Sequence, residues 1–228
     1  MIRFPHAARV AAGLAGCLVL ALSGCKKALE PESVEALTIV SGNLQTRQVG
    51  RQLRAPLVFR ATDAAGKGVG GTAITIVVVQ GGGAVDSASI KTDANGEARV
   101  KWTLGPEVTQ GIQATIPGVE PLRVNASGIL PSDIVIAQGN NQSAKVTVAL
   151  ANQIVVRVLG GNNVPMDSIN VTFQITGGGG AIAPQSILTN ASGEATVKWT
   201  MGPVAGTNTA LVRAAVIDPV TITATATP

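Results

Sequence analysis

The sequence contains an internal repeat, and this constrains its fold more than any other feature. Residues 92–106 recur as residues 189–203, so that Trp102 aligns with Trp199 at an offset of 97 residues. A repeat of this length is typical of tandem copies of one structural unit. We therefore predict two domains, at 36–128 and 134–228, joined by a linker at 129–133.

Within each copy, apolar and polar residues alternate with a period of two, which is the pattern of half-buried strands. Ala98, Val100 and Trp102 share one phase, so we predict that Trp102 and its counterpart Trp199 pack in a core. The chain has 27 glycines and 12 prolines to supply turns between short strands. Strands of this spacing in a unit of about 100 residues favour a sandwich. The predicted fold class is all-β, with two tandem Ig-like antiparallel β-sandwich domains.

The first 24 residues have the features of a secretory signal peptide. A basic start with Arg3 and Arg9 precedes an apolar run at 10–22, and the small residues Ser23 and Gly24 follow. This run is shorter than the roughly 20 apolar residues that a bilayer-spanning helix needs. We predict cleavage between Gly24 and Cys25, which leaves residues 25–35 as a short tether.

Residues 22–25 (Leu-Ser-Gly-Cys) resemble the lipobox of bacterial lipoproteins, in which a signal peptidase cuts before a lipid-modified cysteine. The resemblance implies a diacylglyceryl group on the sulfur of Cys25 and an N-linked fatty-acyl chain such as palmitate. Several acyl chains would anchor the protein stably on a membrane. By resemblance to the sorting rules of these lipoproteins, the absence of Asp next to the cysteine favours the outer membrane of the bacterial envelope. The alternative is an ordinary signal peptide followed by a chance cysteine.

Both copies carry further linked motifs, which lie at 58–66, 69–76 and 92–98 in the first copy and at 160–165, 171–173 and 189–195 in the second. Together they resemble the bacterial Ig-like domain 1 (Big-1) repeats of invasin and intimin. The resemblance covers nearly all of 36–228 and implies an Ig-like fold and a role in adhesion. The sequence lacks the outer-membrane barrel and the cysteine-bearing lectin-like tip of those adhesins, so their receptor binding is not implied.

The inventory of reactive side chains argues against catalysis and metal binding. The only histidine is His6, inside the predicted signal peptide, and Cys25 is the only cysteine left after cleavage. A histidine-containing triad, a cysteine nucleophile and a Cys/His zinc site are therefore excluded from the mature chain. Asp93 becomes Asn190 in the second copy, which favours a hairpin turn over a calcium loop. We predict no enzymatic activity, no cofactor and no metal.

The charge pattern does not indicate nucleic-acid binding. The 17 basic and 13 acidic residues give +4, and removal of the two arginines of the predicted signal peptide leaves +2. The remaining basic residues are scattered and the chain has no tyrosine, so it offers neither a basic stripe nor an aromatic stacking platform. We predict no nucleic-acid partner.

Two functions stay open on the sequence. One is a binding or adhesion module that the envelope presents to a protein or cell-surface partner, and the other is a structural spacer or accessory subunit of an envelope assembly. For the first, we expect partner contacts at the membrane-distal end of the second domain. The candidate residues are Gly177, Gly178, Gly179, Gly180, Asn190 and Ser192. These loops are small and lack an aromatic anchor, so contact is expected to be weak or multivalent.

Overall fold

The computed structural model describes residues 33–215 and 217–228. The predicted signal peptide at 1–24, the cleavage site at Gly24 and the lipidation site at Cys25 lie outside the described residues. Within the described part of the chain, the secondary structure is β apart from one short 3₁₀ helix at Gly161–Asn163. The prediction of an all-β, Ig-like fold is confirmed.

The first copy of the repeat forms ten strands, which we call the N-terminal sandwich. They are β1 (Ala36–Ser41), β2 (Thr46–Gln48), β3 (Leu57–Thr62), β4 (Ala73–Gln80), β5 (Gly83–Val85), β6 (Ser89–Lys91), β7 (Glu97–Val100), β8 (Trp102–Leu104), β9 (Thr109–Thr115) and β10 (Leu122–Ile129). One layer holds the sheet β1-β3-β7 and the pair β5-β8, and the other holds the sheet β2-β10-β9-β4-β6.

The second copy forms another ten strands, which we call the C-terminal sandwich. They are β11 (Pro131–Gln138), β12 (Gln142–Lys145), β13 (Ile154–Gly160), β14 (Val164–Pro165), β15 (Asn170–Gly177), β16 (Ala181–Ala183), β17 (Ser186–Leu188), β18 (Glu194–Thr200), β19 (Gly206–Ala214) and β20 (Val220–Thr227). Its sheets are β11-β13-β18-β16, with β14 paired to β13, and β12-β20-β19-β15-β17.

Strand pairing repeats at the sequence offset of the two copies. Phe59 of β3 lies opposite Ala98 of β7, as Val156 of β13 lies opposite Ala195 of β18. The pairs β2–β10 and β12–β20 are parallel, and the other described pairs are antiparallel. These parallel edges arise because the chain passes from β1 to β2, and from β11 to β12, without reversing direction while it changes sheets. The sequence prediction of an antiparallel sandwich did not include these two short parallel pairs.

Each sandwich buries its own hydrophobic cluster between its two layers. The alternation seen in the sequence appears as alternating burial along β13, where Ile154, Val156 and Val158 point inward. Trp102 and Trp199 are among the largest fully buried side chains, which confirms their predicted core positions. The two clusters share no buried residue. The predicted domain boundaries stay predictions, and only Leu130 of the predicted 129–133 linker lies outside a strand.

Candidate functional site

The glycine corner at 177–180, a predicted partner loop, is shaped by backbone requirements. Gly178, Gly179 and Gly180 all have positive φ, between 74° and 90°, where a side chain is disfavoured. A Cβ on Gly180 would also lie 2.2 Å from the carbonyl oxygen of Thr200. Glycines at these positions therefore allow the corner to turn tightly and to pack against the neighbouring backbone at Thr200. Their predicted contact with a partner stays a prediction.

A buried amide side chain packs against the glycine corner at 177–180, and another packs against the equivalent corner at 81–83 of the N-terminal sandwich. Sequence reasoning missed both of these amide residues. Gln110 donates from Nε2 to the carbonyl oxygen of Gly81 at 3.3 Å and accepts from the Gly105 N–H at 3.0 Å. Asn208 occupies the same place in the C-terminal sandwich and accepts from the Gly202 N–H at 3.2 Å. Both amides are fully buried, so these hydrogen bonds satisfy polar groups that would otherwise be costly. Their only sequence signal is a polar residue at an apolar strand position.

The second predicted partner loop is the turn at 190–193. The side-chain oxygen of Asn190 accepts hydrogen bonds from the backbone N–H groups of Ser192 at 2.9 Å and Glu194 at 3.0 Å. Asp93 makes the equivalent bonds in the N-terminal sandwich. Gly193 has a φ of 76°. The predicted tight turn with positive φ at Gly193 is confirmed, and Asn and Asp side chains stabilise such turns through their own backbone. The turn is not a hairpin, because β17 pairs with β15 and β18 with β13, so it connects the two sheets of the sandwich.

The structure places the two predicted partner loops at opposite ends of the C-terminal sandwich, so the expectation that both lie at the distal end is wrong. Strand β18 separates them, since it begins directly after Gly193 and ends at Thr200, beside Gly180. The turn at 190–193 packs near Val158 and Pro165, at the end that faces the N-terminal sandwich. The sequence alone did not reveal which end each turn occupies.

An ion pair lies beside this turn. Arg157 Nη2 and Glu194 Oε1 are 2.5 Å apart, and both side chains are partly exposed. The hydrogen bond from Arg157 lowers the pKa of the Glu194 carboxyl below its ordinary value, and this effect exceeds the opposing effect of desolvation. In the N-terminal sandwich the equivalent glutamate, Glu97, lies 3.6 Å from Arg99 instead.

At the junction between the two sandwiches, the loop before β15 contacts the N-terminal sandwich. Gln48 at the end of β2 donates from Nε2 to the carbonyl oxygen of Asp167 at 2.7 Å and accepts from the Asp167 N–H at 3.0 Å. Arg51 Nη2 lies 2.5 Å from the Asp167 carboxylate. Because the two hydrogen bonds of the Gln48 side chain are made with the backbone of Asp167, they fix the position of the loop before β15 as well as that of the Asp167 side chain.

Close packing reinforces these polar contacts. A Cβ on Gly160 would lie 2.7 Å from both Ile129 Cγ2 and the carbonyl oxygen of Leu130. Ile129, at the end of the N-terminal sandwich, also packs against the hydrophobic cluster of the C-terminal sandwich. The glycine at position 160 therefore allows the two sandwiches to approach closely.

The junction residues break the sequence repeat. At the offset of 97, Gln48 corresponds to Lys145, Arg51 to Val148, and Asp167 to Gly70. Comparison of the two copies for such differences in charge and hydrogen-bonding capacity is the signal that could have located the junction from sequence.

The described residues, 33–215 and 217–228, contain no group of three or more His, Cys, Asp or Glu side chains that could hold a metal ion. This part of the chain also contains no helix long and apolar enough to cross a membrane.

No protein-family model matches the chain. No curated protein matches it either. Among solved structures, the D0-D1 domain of intimin is 18% identical over 84% of this chain and 95% of that one, with a TM-score of 0.34. The Yersinia pseudotuberculosis adhesin InvE is 17% identical over 84% of this chain and 59% of that one, with a TM-score of 0.44. Invasin, described as a bacterial integrin-binding protein, is 22% identical over 85% of this chain and 40% of that one, with a TM-score of 0.44. These neighbours are Ig-like domains of the invasin and intimin type, which the repeat motifs of this chain also resemble.

Proposed function

We propose that this chain is a lipid-anchored protein of the bacterial envelope that presents two non-catalytic Ig-like domains to a protein or cell-surface partner. The observation that carries the proposal is Cys25, which stands directly after an apolar run and two small residues. Cleavage before it would leave a lipidated N-terminus followed by the tether at 25–35. The outer membrane is the proposed location.

The course of the chain supports presentation at a distance from the membrane. In the N-terminal sandwich, β1 begins beside Thr62, near the turn that holds Gly96, whereas β10 ends at Ile129, at the junction. In the C-terminal sandwich, β11 begins at the junction and β20 ends beside β12 at the opposite end. A chain tethered before residue 33 would therefore hold the glycine corner at 177–180 farthest from its anchor.

The distal end of the C-terminal sandwich offers an apolar surface for a partner. Val204 and Val148 are 69% and 49% exposed, and both lie at the end marked by Gly179. Val148 is placed there because its carbonyl oxygen accepts from the Met201 N–H, and Val204 because it follows Pro203, the nearest neighbour of Gly179. A surface built from valines without an aromatic anchor suits weak or multivalent contact.

A spacer or an accessory subunit is the second candidate function, and the junction favours it. The two hydrogen bonds between Gln48 and Asp167, with the ion pair to Arg51, hold the two sandwiches in one relative orientation. A fixed orientation suits a rigid spacer as well as a presenting arm.

Lipid attachment is tested by Cys25→Ser, with Cys17→Ser as the matched control. Both variants lose one thiol, but Cys17 lies inside the apolar run that cleavage would remove. We expect Cys25→Ser to lose incorporation of labelled palmitate and to leave the membrane fraction, while Cys17→Ser behaves as the wild type. Loss of label in both variants, or in neither, contradicts lipidation at Cys25.

Substitution of exposed valines at two places distinguishes an adhesive function from a spacer function. Val148→Asp with Val204→Asp alters the distal end, whereas Val77→Asp with Val79→Asp alters the face of β4 at similar exposures of 50% and 44%. Adhesion through the distal end predicts that only the first pair reduces capture of partners from cell-surface extracts. If neither pair changes capture, the spacer function is favoured.

A further inference from the structure

A cleft lies at the junction of the two sandwiches, and the geometry points to a binding site for a phosphate-bearing ligand there. The cleft has a volume of about 760 Å³, within the usual range of roughly 300–1,000 Å³ for small-ligand sites. Neither the proposed anchor nor the proposed adhesive end takes part in it. The inference is therefore independent of the proposed function.

Three arginines of the N-terminal sandwich line the cleft. Arg47 lies on β2, and Arg51 and Arg54 lie on the loop that follows it. The opposite wall comes from the C-terminal sandwich and includes Asp167. A ligand in the cleft would therefore contact both sandwiches.

The charges in the cleft are not balanced. Arg51 is neutralised by Asp167, 2.5 Å away. Among the described residues, no carboxylate forms an ion pair with Arg47 or Arg54. Because a guanidinium group carries one positive charge, the two unpaired arginines give the lining a net charge of about +2.

Arg47 also has an unsatisfied hydrogen-bond donor. Its Nε is buried and makes no hydrogen bond with any described residue. Such a buried donor is costly unless an acceptor reaches it, and the cost is higher for a charged group. An oxygen of a ligand in the cleft would satisfy this N–H while it neutralised the charge.

The fold itself does not require these two arginines. The offset of the repeat places Ala144 at the position of Arg47 and Ala151 at the position of Arg54. In the C-terminal sandwich, Ala144 lies in the edge strand β12, which pairs in parallel with β20 as β2 pairs with β10. The arginines occur only in the copy whose edge strand borders the junction, which indicates a role in the cleft.

The charge and geometry favour phosphate over carboxylate. A phosphate monoester carries about −1.5 to −2 charges near neutral pH, which matches the two unpaired arginines, whereas one carboxylate would leave one of them unbalanced. Guanidinium groups also bind phosphate oxygens through paired N–H donors. Soluble phosphate esters and lipid headgroups share this chemistry, so the test includes both.

The test is calorimetric titration of the full chain, in neutral detergent at low salt, with glycerol phosphate, with short-chain phosphatidic acid and with acetate. We expect saturable binding of glycerol phosphate with a dissociation constant of about 1 mM or lower. Acetate should bind at least about tenfold more weakly. Tighter binding of phosphatidic acid than of glycerol phosphate would identify a lipid headgroup as the source, and the reverse order would identify a soluble ester.

Two pairs of substitutions locate the site. Arg47→Gln with Arg54→Gln should weaken binding by about tenfold or more, because both unpaired charges are lost. Arg60→Gln with Arg213→Gln removes the same charge from exposed positions outside the cleft and should leave binding unchanged. Thermal unfolding of each variant shows whether it is folded.

A third variant tests whether removal of negative charge from the cleft strengthens phosphate binding. Asp167→Asn removes the only carboxylate among the described residues that line the cleft, and it frees Arg51, so binding should tighten by roughly threefold or more. The inference is wrong if phosphate shows no saturable binding, if acetate binds equally well, or if the two arginine pairs weaken binding alike. Weaker binding by a folded Asp167→Asn variant would also overturn it.

Discussion

Gln48→Ala should weaken the coupling between the two sandwiches. The substitution removes both hydrogen bonds between the Gln48 amide and the backbone of Asp167, at 2.7 and 3.0 Å. Each partly buried bond contributes about 0.5–1.5 kcal/mol, so the junction should lose about 1–3 kcal/mol. The sandwich that unfolds at the lower urea concentration should have its free energy of unfolding reduced by this amount, because contacts with the neighbouring sandwich, which is still folded, stabilise it.

Tryptophan fluorescence can follow each sandwich separately, since Trp102 and Trp199 each lie in one core. Trp102→Phe or Trp199→Phe leaves one reporter. Each indole N–H is buried without a partner, so phenylalanine forfeits no hydrogen bond there. The control is Lys145→Ala, which alters the exposed position equivalent to Gln48. A change below about 0.3 kcal/mol with Gln48→Ala, or an equal change with Lys145→Ala, would refute the coupling.

Three further predictions concern the C-terminal sandwich. Trp199→Ala should destabilise it by about 3–5 kcal/mol in urea unfolding, because a large buried side chain is lost; a fully exposed emission maximum in the native protein would contradict this. Gly180→Ala should cost more stability than Gly179→Ala, since only the former places a Cβ against a backbone oxygen; equal costs would contradict the corner geometry. Because the pKa of Glu194 is lowered in the folded protein, its carboxylate stabilises the fold at pH values above the ordinary pKa of a glutamate. This contribution is lost as the pH falls through the lowered pKa. In an NMR titration, Arg157→Met should raise that pKa, and an unchanged pKa would contradict the ion pair.

The repeat allowed much of the fold to be predicted from sequence. Alternation around Ala98 and Val100 placed Trp102 in a core, and the offset then carried the assignment to Trp199. These predictions succeeded because the side-chain period of a strand decides which face is buried. The tight turn at Asn190 was predictable because its hydrogen bonds are local, whereas the two sheets that it connects were not.

The candidate sites were harder to predict because they depend on contacts between distant segments. The turn at 190–193 lies at the junction because β18, which follows it, runs from the junction to the opposite end of the sandwich. No local sequence pattern indicates the direction in which β18 runs. Gln48 and Asp167 are 119 residues apart and neither belongs to a recognisable motif. The arginines of the cleft lie close together in the sequence, at 47, 51 and 54, but no local pattern shows that β2 and the loop after it lie beside the second copy.

The most direct test of the proposed envelope anchor is mass spectrometry of the N-terminal peptide of the protein purified from its own membranes. The account predicts a peptide that begins at Cys25 and carries the mass of a diacylglyceryl group and an N-linked acyl chain. An unmodified Cys25, or a peptide that still contains residues 1–24, would contradict it.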